Sequence, residues 1–333
     1  MDSIPFIAGQ TPNQPSPLEE YLPQVSPSTL TIWLERAYPH PNLILDPFGS
    51  SPQSLLTAAR GGYRVLAAIN NPITRFLVTY AARAPSSSDL TSALATLAST
   101  FKGEERLEPH ILSLYETDCP HCGKKISAQA FIWKAKGTAP DQKVCHCSQC
   151  HNQGVYPTSE EDVEKAQEHK ENSLYYARAL TRIAPPDDPI RSHAEKALQL
   201  YKPRAVYALF TLINKFSGLS LSAEESSHIS ALLLHAFYKA NNLWPHPPEK
   251  KAALKLSSLA THRENNVWRA LEEAVDVWDR EEQPVKVTRW PDLPSVEGGI
   301  SVYPGRFRDL AEKIKETFGA AVMVVPQPSP AFW

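Results

Sequence analysis

Two short apolar runs, each cut off by polar residues and a proline, stand out in the first quarter of the chain. Leu43-Ile44-Leu45 stops at Asp46-Pro47, and Arg64 to Ile69 (RVLAAI) stops at Asn70-Asn71-Pro72. Apolar runs this short, without polar alternation, predict buried strands of a parallel sheet. Between them Ser54 to Arg60 (SLLTAAR) favours helix, and Gly61-Gly62 ends it. Strand, small-residue loop, helix and strand make a βαβ unit. Its loop, Asp46-Pro47-Phe48-Gly49-Ser50-Ser51-Pro52, lies at the carboxyl end of the first strand, where open α/β sheets bind ligands.

Helical periodicity fills much of the rest. Thr29 to Ala37 reads as a helix capped by Ser28, with Leu30, Trp33, Leu34 and Ala37 on one face. Ile73 to Arg83 and Leu90 to Phe101 follow, the second capped within Ser86 to Asp89. Residues 159–280 read as helical throughout. Ser159 with Asp162 forms a capping pair for Val163 to Ile183, and Ile190 to Tyr201 and Pro203 to Phe216 come next. Ser222 and Glu225 form a capping box for a helix reaching about Asn241. A final helix over Glu264 to Arg280 places Val267, Leu271, Ala274, Val275 and Trp278 on one face. The pattern then returns to strands at Ile300 to Tyr303 and Ala320 to Val325 (AAVMVV), with a helix ending at Phe318 between them. Prolines at 5, 12, 15, 17, 23 and 27 make residues 1–28 an extended segment packed across the domain, since Phe6, Ile7, Leu18, Tyr21 and Leu22 need cover.

Cysteine changes this picture most. All five cysteines fall between 119 and 150, an odd and crowded set that is no secreted disulfide framework. Cys119-Pro-His-Cys122 and Cys147-Ser-Gln-Cys150 are two Cys-x-x-Cys pairs with 24 residues between them, the spacing of a zinc ribbon. Ala128 to Trp133 supplies a strand and Gly137 to Pro140 a turn between the knuckles. Zinc is expected at Cys119, Cys122, Cys147 and Cys150, with Cys145 spare and His121, His146 and His151 on the surface. Four thiolates leave no position for water or substrate, so the zinc is structural.

Charge adds less. The chain carries a formal net charge of −2, so it is not a generally basic nucleic-acid binder and any DNA contact has to be local. The most basic stretch is the ribbon, where Lys124, Lys125, Lys134, Lys136 and Lys143 face one acid, Asp141, with Phe131 and Trp133 among them. It reads either as a phosphate-contacting patch or as a solvated lysine face. No run approaches the roughly 18 apolar residues of a membrane helix, and no signal peptide opens the chain, which makes the cytoplasm the default.

Asp46-Pro-Phe-Gly-Ser, a helix, a glycine, a strand and Asn71-Pro72 together resemble the cofactor-binding half of S-adenosylmethionine-dependent DNA methyltransferases, the group making N6-methyladenine or N4-methylcytosine. That family's loop reads Asp-Pro-Phe-x-Gly-x-Gly, with an acid two residues before the asparagine. Here the two glycine positions hold Ser50 and Pro52, and the acid position holds Ile69. The resemblance implies a Rossmann-like α/β methyltransferase sheet of about four parallel strands in the order 3-2-1-4, interrupted by the zinc ribbon and a helical insertion. It implies S-adenosylmethionine at Asp46, Phe48, Gly49, Ser50, Asn70 and Asn71. In the family the fourth strand leads into Asp- or Asn-Pro-Pro-Tyr, which orients the amine of a flipped base; here Pro326-Gln327-Pro328-Ser329 follows, so Gln327 is the acceptor and Phe332 the stacking ring. Tyr201-Lys-Pro-Arg204 is similar to a Thr-Pro-Arg-Gln segment of the zinc-ribbon members, and Arg204 reads either as a solvated helix-start arginine or as a phosphate contact. The alternative is a non-catalytic, zinc-bearing module on the same scaffold, binding nucleic acid or protein.

The resulting divisions are 1–115 for the N-terminal segment and first half of the α/β domain, 116–156 for the ribbon, 157–284 for the helical insertion and 285–333 for the return to the α/β domain. This arrangement leaves AAVMVV as a bare apolar edge. A partner chain, a C-terminal continuation or the helical insertion is expected to cover it.

Overall fold

The computed structural model describes residues 7, 17–18, 21–23, 26–39, 43–170, 173–247, 259–279, 282–314 and 322–323. The first half runs α1 (Pro27–Ala37), β1 (Leu43–Asp46), α2 (Pro52–Arg60), β2 (Arg64–Ala68), α3 (Pro72–Ala81), α4 (Ser87–Ala98), β3 (Phe101–Lys102), β4 (Glu105–Arg106), α5 (Leu107–Ser113), β5 (Glu116–Asp118), β6 (Lys125–Ser127), β7 (Ala130–Lys134), β8 (Gln142–His146) and β9 (Gln153–Pro157). There follow α6 (Glu160–Gln167), α7 (Leu174–Ile183), α8 (Arg191–Leu198), α9 (Pro203–Ser217), α10 (Ala223–Lys239), β10 (Thr261–Asn265), α11 (Val267–Trp278), β11 (Val287–Arg289), β12 (Gly299–Tyr303), α12 (Phe307–Ile314) and β13 (Val322–Met323). Two compact units result. Unit 1 comprises residues 1–87 and 277–333, and unit 2 comprises residues 88–276.

Unit 1 holds a parallel sheet in the order β11-β12-β2-β1-β13. The expected four strands keep their 3-2-1-4 order, and β11, which the sequence reading lacked, adds a fifth outside β12. Side chains alternate across this sheet. Ile44, Val65, Ala67, Ile300 and Val302 pack with Leu34 of α1, Leu55 and Leu56 of α2, and Val78 of α3. Leu43, Leu45, Leu66 and Ala68 pack on the other face with Leu310 of α12, next to Phe307 and Tyr303. Covered on both faces, β1 is buried at all four positions, which is why it reads as an uninterrupted apolar run. Each such side chain contributes about 1.5–3 kcal/mol of burial.

Helix starts in this unit lie earlier than expected, each for the same reason. Proline sits at the first helical position of α1, α2 and α3, where its missing N–H costs nothing. Ser26 rather than Ser28 therefore caps α1, Ser51 caps α2 and Asn71 caps α3. The β13 residues Val322 and Met323 align with Ile44 and Leu45. Most of the extended N-terminal segment, the flanks of β13, and Gln327 and Phe332 lie outside the described residues.

Unit 2 is built on an antiparallel sheet, β10-β7-β8-β9. Ala130 to Trp133 of β7 are buried because a strand flanks them on either side. The capping boxes at Ser159 and Ser222 form as expected. Three expectations fail here. The helix read over Leu90 to Phe101 ends at Ala98, and Phe101 lies in β3. The single helix over Val163 to Ile183 is two, α6 and α7. The start of the predicted last helix, Glu264-Asn265, is instead the end of β10, paired antiparallel to β7.

Candidate metal centre and cofactor loop

Two knuckles of the same geometry place the four cysteines. In the first, the Cys119 N–H donates to the Lys124 carbonyl at 2.8 Å; in the second, the Cys147 N–H donates to the Asn152 carbonyl at 2.9 Å. The fourth residue after the leading cysteine takes the left-handed conformation in both, Gly123 at φ 67° and His151 at φ 55°. Glycine adopts that turn without strain, whereas histidine does so at a cost. The first knuckle closes the β5–β6 hairpin, and the second joins β8 to β9.

These turns bring the Sγ atoms of Cys119, Cys122, Cys147 and Cys150 within 4.8 Å of one another. The Cys119–Cys150 and Cys122–Cys147 separations are both 3.7 Å. Sulfurs bound tetrahedrally to one zinc at about 2.3 Å stand about 3.8 Å apart, so the cluster fits that ion. All five cysteines are free thiols. N–H groups of Cys122 and His121 hold the Cys119 thiol down at about 6, and those of Cys150 and Gln149 lower Cys147. Both shifts favour the thiolate form at the leading position of each knuckle. Cys145 is buried outside the cluster, and burial pushes its thiol up to about 11. His121, His146 and His151 are exposed and outside the cluster.

A buried pair braces the centre. Lys143 Nζ donates to Asp162 Oδ2 at 2.9 Å and to Thr117 Oγ1 at 2.5 Å. The residue that looked like part of a basic surface is thus internal. Phe131 and Trp133 are internal too, 0% and 5% exposed, and present no ring to solvent. Lys125 pairs with Asp118 and Glu161, and Lys134 with Asp141. The patch expected to meet DNA phosphates is largely neutralised by these acids.

Arg204 also differs from both readings of it. It is 2% exposed and clamps Glu264 with Nε at 2.9 Å and Nη2 at 2.7 Å, while Nη1 donates to the Leu114 carbonyl. Its guanidinium lies between the rings of Tyr115 and Phe131, 4.7 and 4.5 Å from their centroids. Trp133 Nε1 gives Glu264 a third hydrogen bond, at 2.8 Å. This ion pair ties α9 to β10, and its burial keeps the guanidinium out of reach of a phosphate.

In unit 1 the loop after β1 is shaped by Asp46, whose Oδ1 accepts from the Phe48 N–H at 2.9 Å and the Gly49 N–H at 2.8 Å. Burial raises the Asp46 carboxyl above its usual range, against the pull of those two N–H groups. Gly49 has φ 49°, and a Cβ there would stand 2.5 Å from Ile69 Cγ1 and 2.9 Å from the Ala68 carbonyl oxygen. Its glycine is therefore required by the end of β2. Phe48 is 61% exposed, Ser50 is half-buried, and Pro52 opens α2.

The end of β2 places the remaining expected residues. Ile69 is buried beneath Gly49. Asn70 is exposed, and its side chain makes no hydrogen bond among the described residues. Asn71 Oδ1 is spent on capping α3, accepting from the N–H groups of Ile73 at 2.8 Å and Thr74 at 3.4 Å. The structure thus brings Asp46, Phe48, Gly49 and Ser50 together in one loop, and at the carboxyl end of β2 leaves Asn70 rather than Asn71 with an uncommitted amide.

Sequence reasoning missed Glu264 and Asp162 as buried partners, because acids in polar runs carry no signal of burial. It also missed β11, whose three residues are too short for a period to show. No helix among the described residues is long and apolar enough to cross a membrane. Comparison of the chain with protein-family models, with curated proteins and with solved structures gives no match.

Proposed function

We propose that this chain is a DNA methyltransferase-like protein that binds S-adenosylmethionine in unit 1, directs its methyl group to an exocyclic amine of adenine or cytosine, and carries a structural zinc in unit 2. The observation that carries the reading is the Asp46–Pro52 loop at the carboxyl end of the buried strand β1, beside the Asn70–Pro72 turn that ends its parallel neighbour β2. Ligands of open α/β sheets lie in this position.

Within this reading the residues have distinct tasks. Asp46 fixes the loop by holding two of its N–H groups. Ser50 lies beyond the turn with its hydroxyl available to a polar group. Asn70 presents a donor and an acceptor suited to ribose hydroxyls, and the exposed Phe48 ring offers an apolar wall. S-adenosylmethionine, when bound, supplies an electrophilic methyl group. Gln327 is assigned to accept a hydrogen bond from the target amine, and Phe332 to stack on the base. The four thiolates complete the coordination of the zinc and leave no open position for water or substrate.

One observation favours a second reading. Ile69 fills the family's ribose-binding acid position and is turned under Gly49. A scaffold without cofactor, acting as a zinc-bearing interaction module, accounts for that residue directly.

Calorimetric titration of the zinc-loaded chain with S-adenosylmethionine and S-adenosylhomocysteine separates the two. The methyltransferase reading expects micromolar binding, weakened about tenfold in Asn70→Ala. Because Asn70 is exposed and uncommitted, that variant keeps its fold. Heat from neither ligand would leave the interaction module as the function.

A further inference from the structure

A second opening lies in unit 1, on the α3 face of the sheet, where α3 stops short of covering the edge strand β11. It is an open cleft of about 520 Å³ lined by Pro72, Arg75, Phe76, Thr79, Val287, Thr288, Arg289, Val302 and Pro304. The volume is that of a small-molecule site. Register explains the floor. Arg289 is the neighbour of Val302, and Val287 of Ile300, on the two paired strands. The half-buried Val287 thus stands beside a guanidinium, with the buried Val302 next to it at the base of the cleft.

The chemistry of the lining is one-sided. It contains two arginines and no acid. Arg75 spends Nη1 on the Ile69 carbonyl at 3.0 Å, which fixes the side chain and leaves its other nitrogens to donate. The Arg289 side chain is exposed and makes no hydrogen bond or ion pair among the described residues. The two hydroxyls have already given their protons, Thr79 to the Arg75 carbonyl at 2.9 Å and Thr288 to the Asp292 carbonyl at 2.6 Å. Free donors therefore come from guanidinium groups alone, and these select an anion with several acceptor oxygens. Phe76 stands beside them, held by Tyr80 in a near-parallel stack at 5.4 Å and by the edge of Trp278 at 6.3 Å. A fixed ring and an apolar floor suit a flat body. S-adenosylmethionine fits this wall poorly, because its sulfonium would meet two positive charges with no carboxylate among them.

We propose that this cleft binds a nucleoside phosphate monoester, with the phosphate on Arg75 and Arg289 and the base against Phe76, Val287 and Val302. The ester comes either from a free nucleotide or from the 5′-phosphate end of an oligonucleotide. The proposal stands independently of the methyltransferase reading.

Calorimetric titration of the full chain with AMP, adenosine, inorganic phosphate and a 5′-phosphorylated trinucleotide tests it. AMP or the trinucleotide is expected to bind with a dissociation constant below about 1 mM, and adenosine and phosphate at least about tenfold more weakly. Arg289→Gln, which removes no contact that holds the fold, is expected to weaken binding about tenfold, and Arg75→Gln likewise. Tighter binding of AMP assigns the site to free nucleotides, and tighter binding of the trinucleotide to nucleic-acid ends. The proposal is overturned by absence of binding for both, by unchanged affinity in Arg289→Gln, or by inorganic phosphate binding as tightly as AMP.

Discussion

His262 shows how one buried ring writes a pH dependence. It lies on β10 with 3% of its surface exposed. Burial, with Lys202 nearby, lowers its pKa to about 4, and Glu264 only partly opposes this. In an unfolded chain the same ring titrates near 6.5. Between those values the unfolded state binds the extra proton, so unit 2 is expected to lose stability as pH falls from about 6.5 to about 4, on the order of 3 kcal/mol from this residue. Denaturant unfolding followed across that window should show the loss in the native chain and a flatter profile in His262→Phe. Identical profiles would mean that the ring is hydrated in the folded state. A histidine in a polar segment gave no hint of this. Only the pairing of β10 with β7 puts it inside.

At the scale of elements, the join between α9 and β10 rests on Arg204 and Glu264. Two buried charges cost free energy to desolvate, and here three hydrogen bonds to Glu264 and two flanking rings offset that cost. Removing one partner strands the other. Arg204→Met is expected to destabilise unit 2 by about 3–5 kcal/mol, and Arg204→Met with Glu264→Gln by distinctly less than the two single changes added together. A double-mutant cycle on chemical unfolding measures the coupling, and additivity would show that the pair contributes nothing beyond its separate parts. This join also marks where elements were and were not legible. Strands β1, β2 and β12 announced themselves because a sheet buried on both faces needs runs of Leu, Ile and Val. The knuckles did so because four ligands around one ion impose a spacing. In sequence β10 reads as helix, its end Glu264-Asn265 as the start of the last one, since its inward residues are the polar His262 and Glu264. The burial of Glu264 is matched by Arg204, some sixty residues earlier in the chain, and no local pattern reports a partner at that distance. The loop after β1 was legible in place but not in detail: the glycine at 49 answers to Ile69 beneath it, and Asn71 to the first turn of α3.

For the whole molecule the metal and the two units set the expectation. The cysteine cluster lies entirely in unit 2. Structural zinc contributes about 10–16 kcal/mol of binding to the fold that holds it. One equivalent of zinc per chain is expected by elemental analysis. Stripping it with a chelator should lower the unfolding transition of unit 2 while the parallel sheet of unit 1 keeps its own. Cys119→Ser should reproduce the effect without chelator. A chain that carries no zinc as purified, or unfolds identically with and without it, would remove the structural role. The order of the five parallel strands follows from sequence except for β11, whereas the divisions read at 115, 156 and 284 differ from the two compact units: residues 88–115, the ribbon and the helical insertion fall together in unit 2.

The sheet of unit 1 is interrupted between α3 and β11 by the whole of unit 2. That interruption has a consequence for synthesis. On the ribosome β1 and β2 emerge early, whereas β12 and β13, which pair against their outer edges, come only after residues 88–276. At about 5–20 residues per second that interval lasts on the order of 10–40 s. During it β1 and β2 lack the strands that cover their outer edges, and uncovered edges invite pairing with other chains. Unit 2, contiguous in sequence, can finish folding within the same interval. The timetable of translation therefore makes unit 1, with its Asp46–Pro52 loop, the part that waits, and the part that nascent-chain chaperones have most reason to shield.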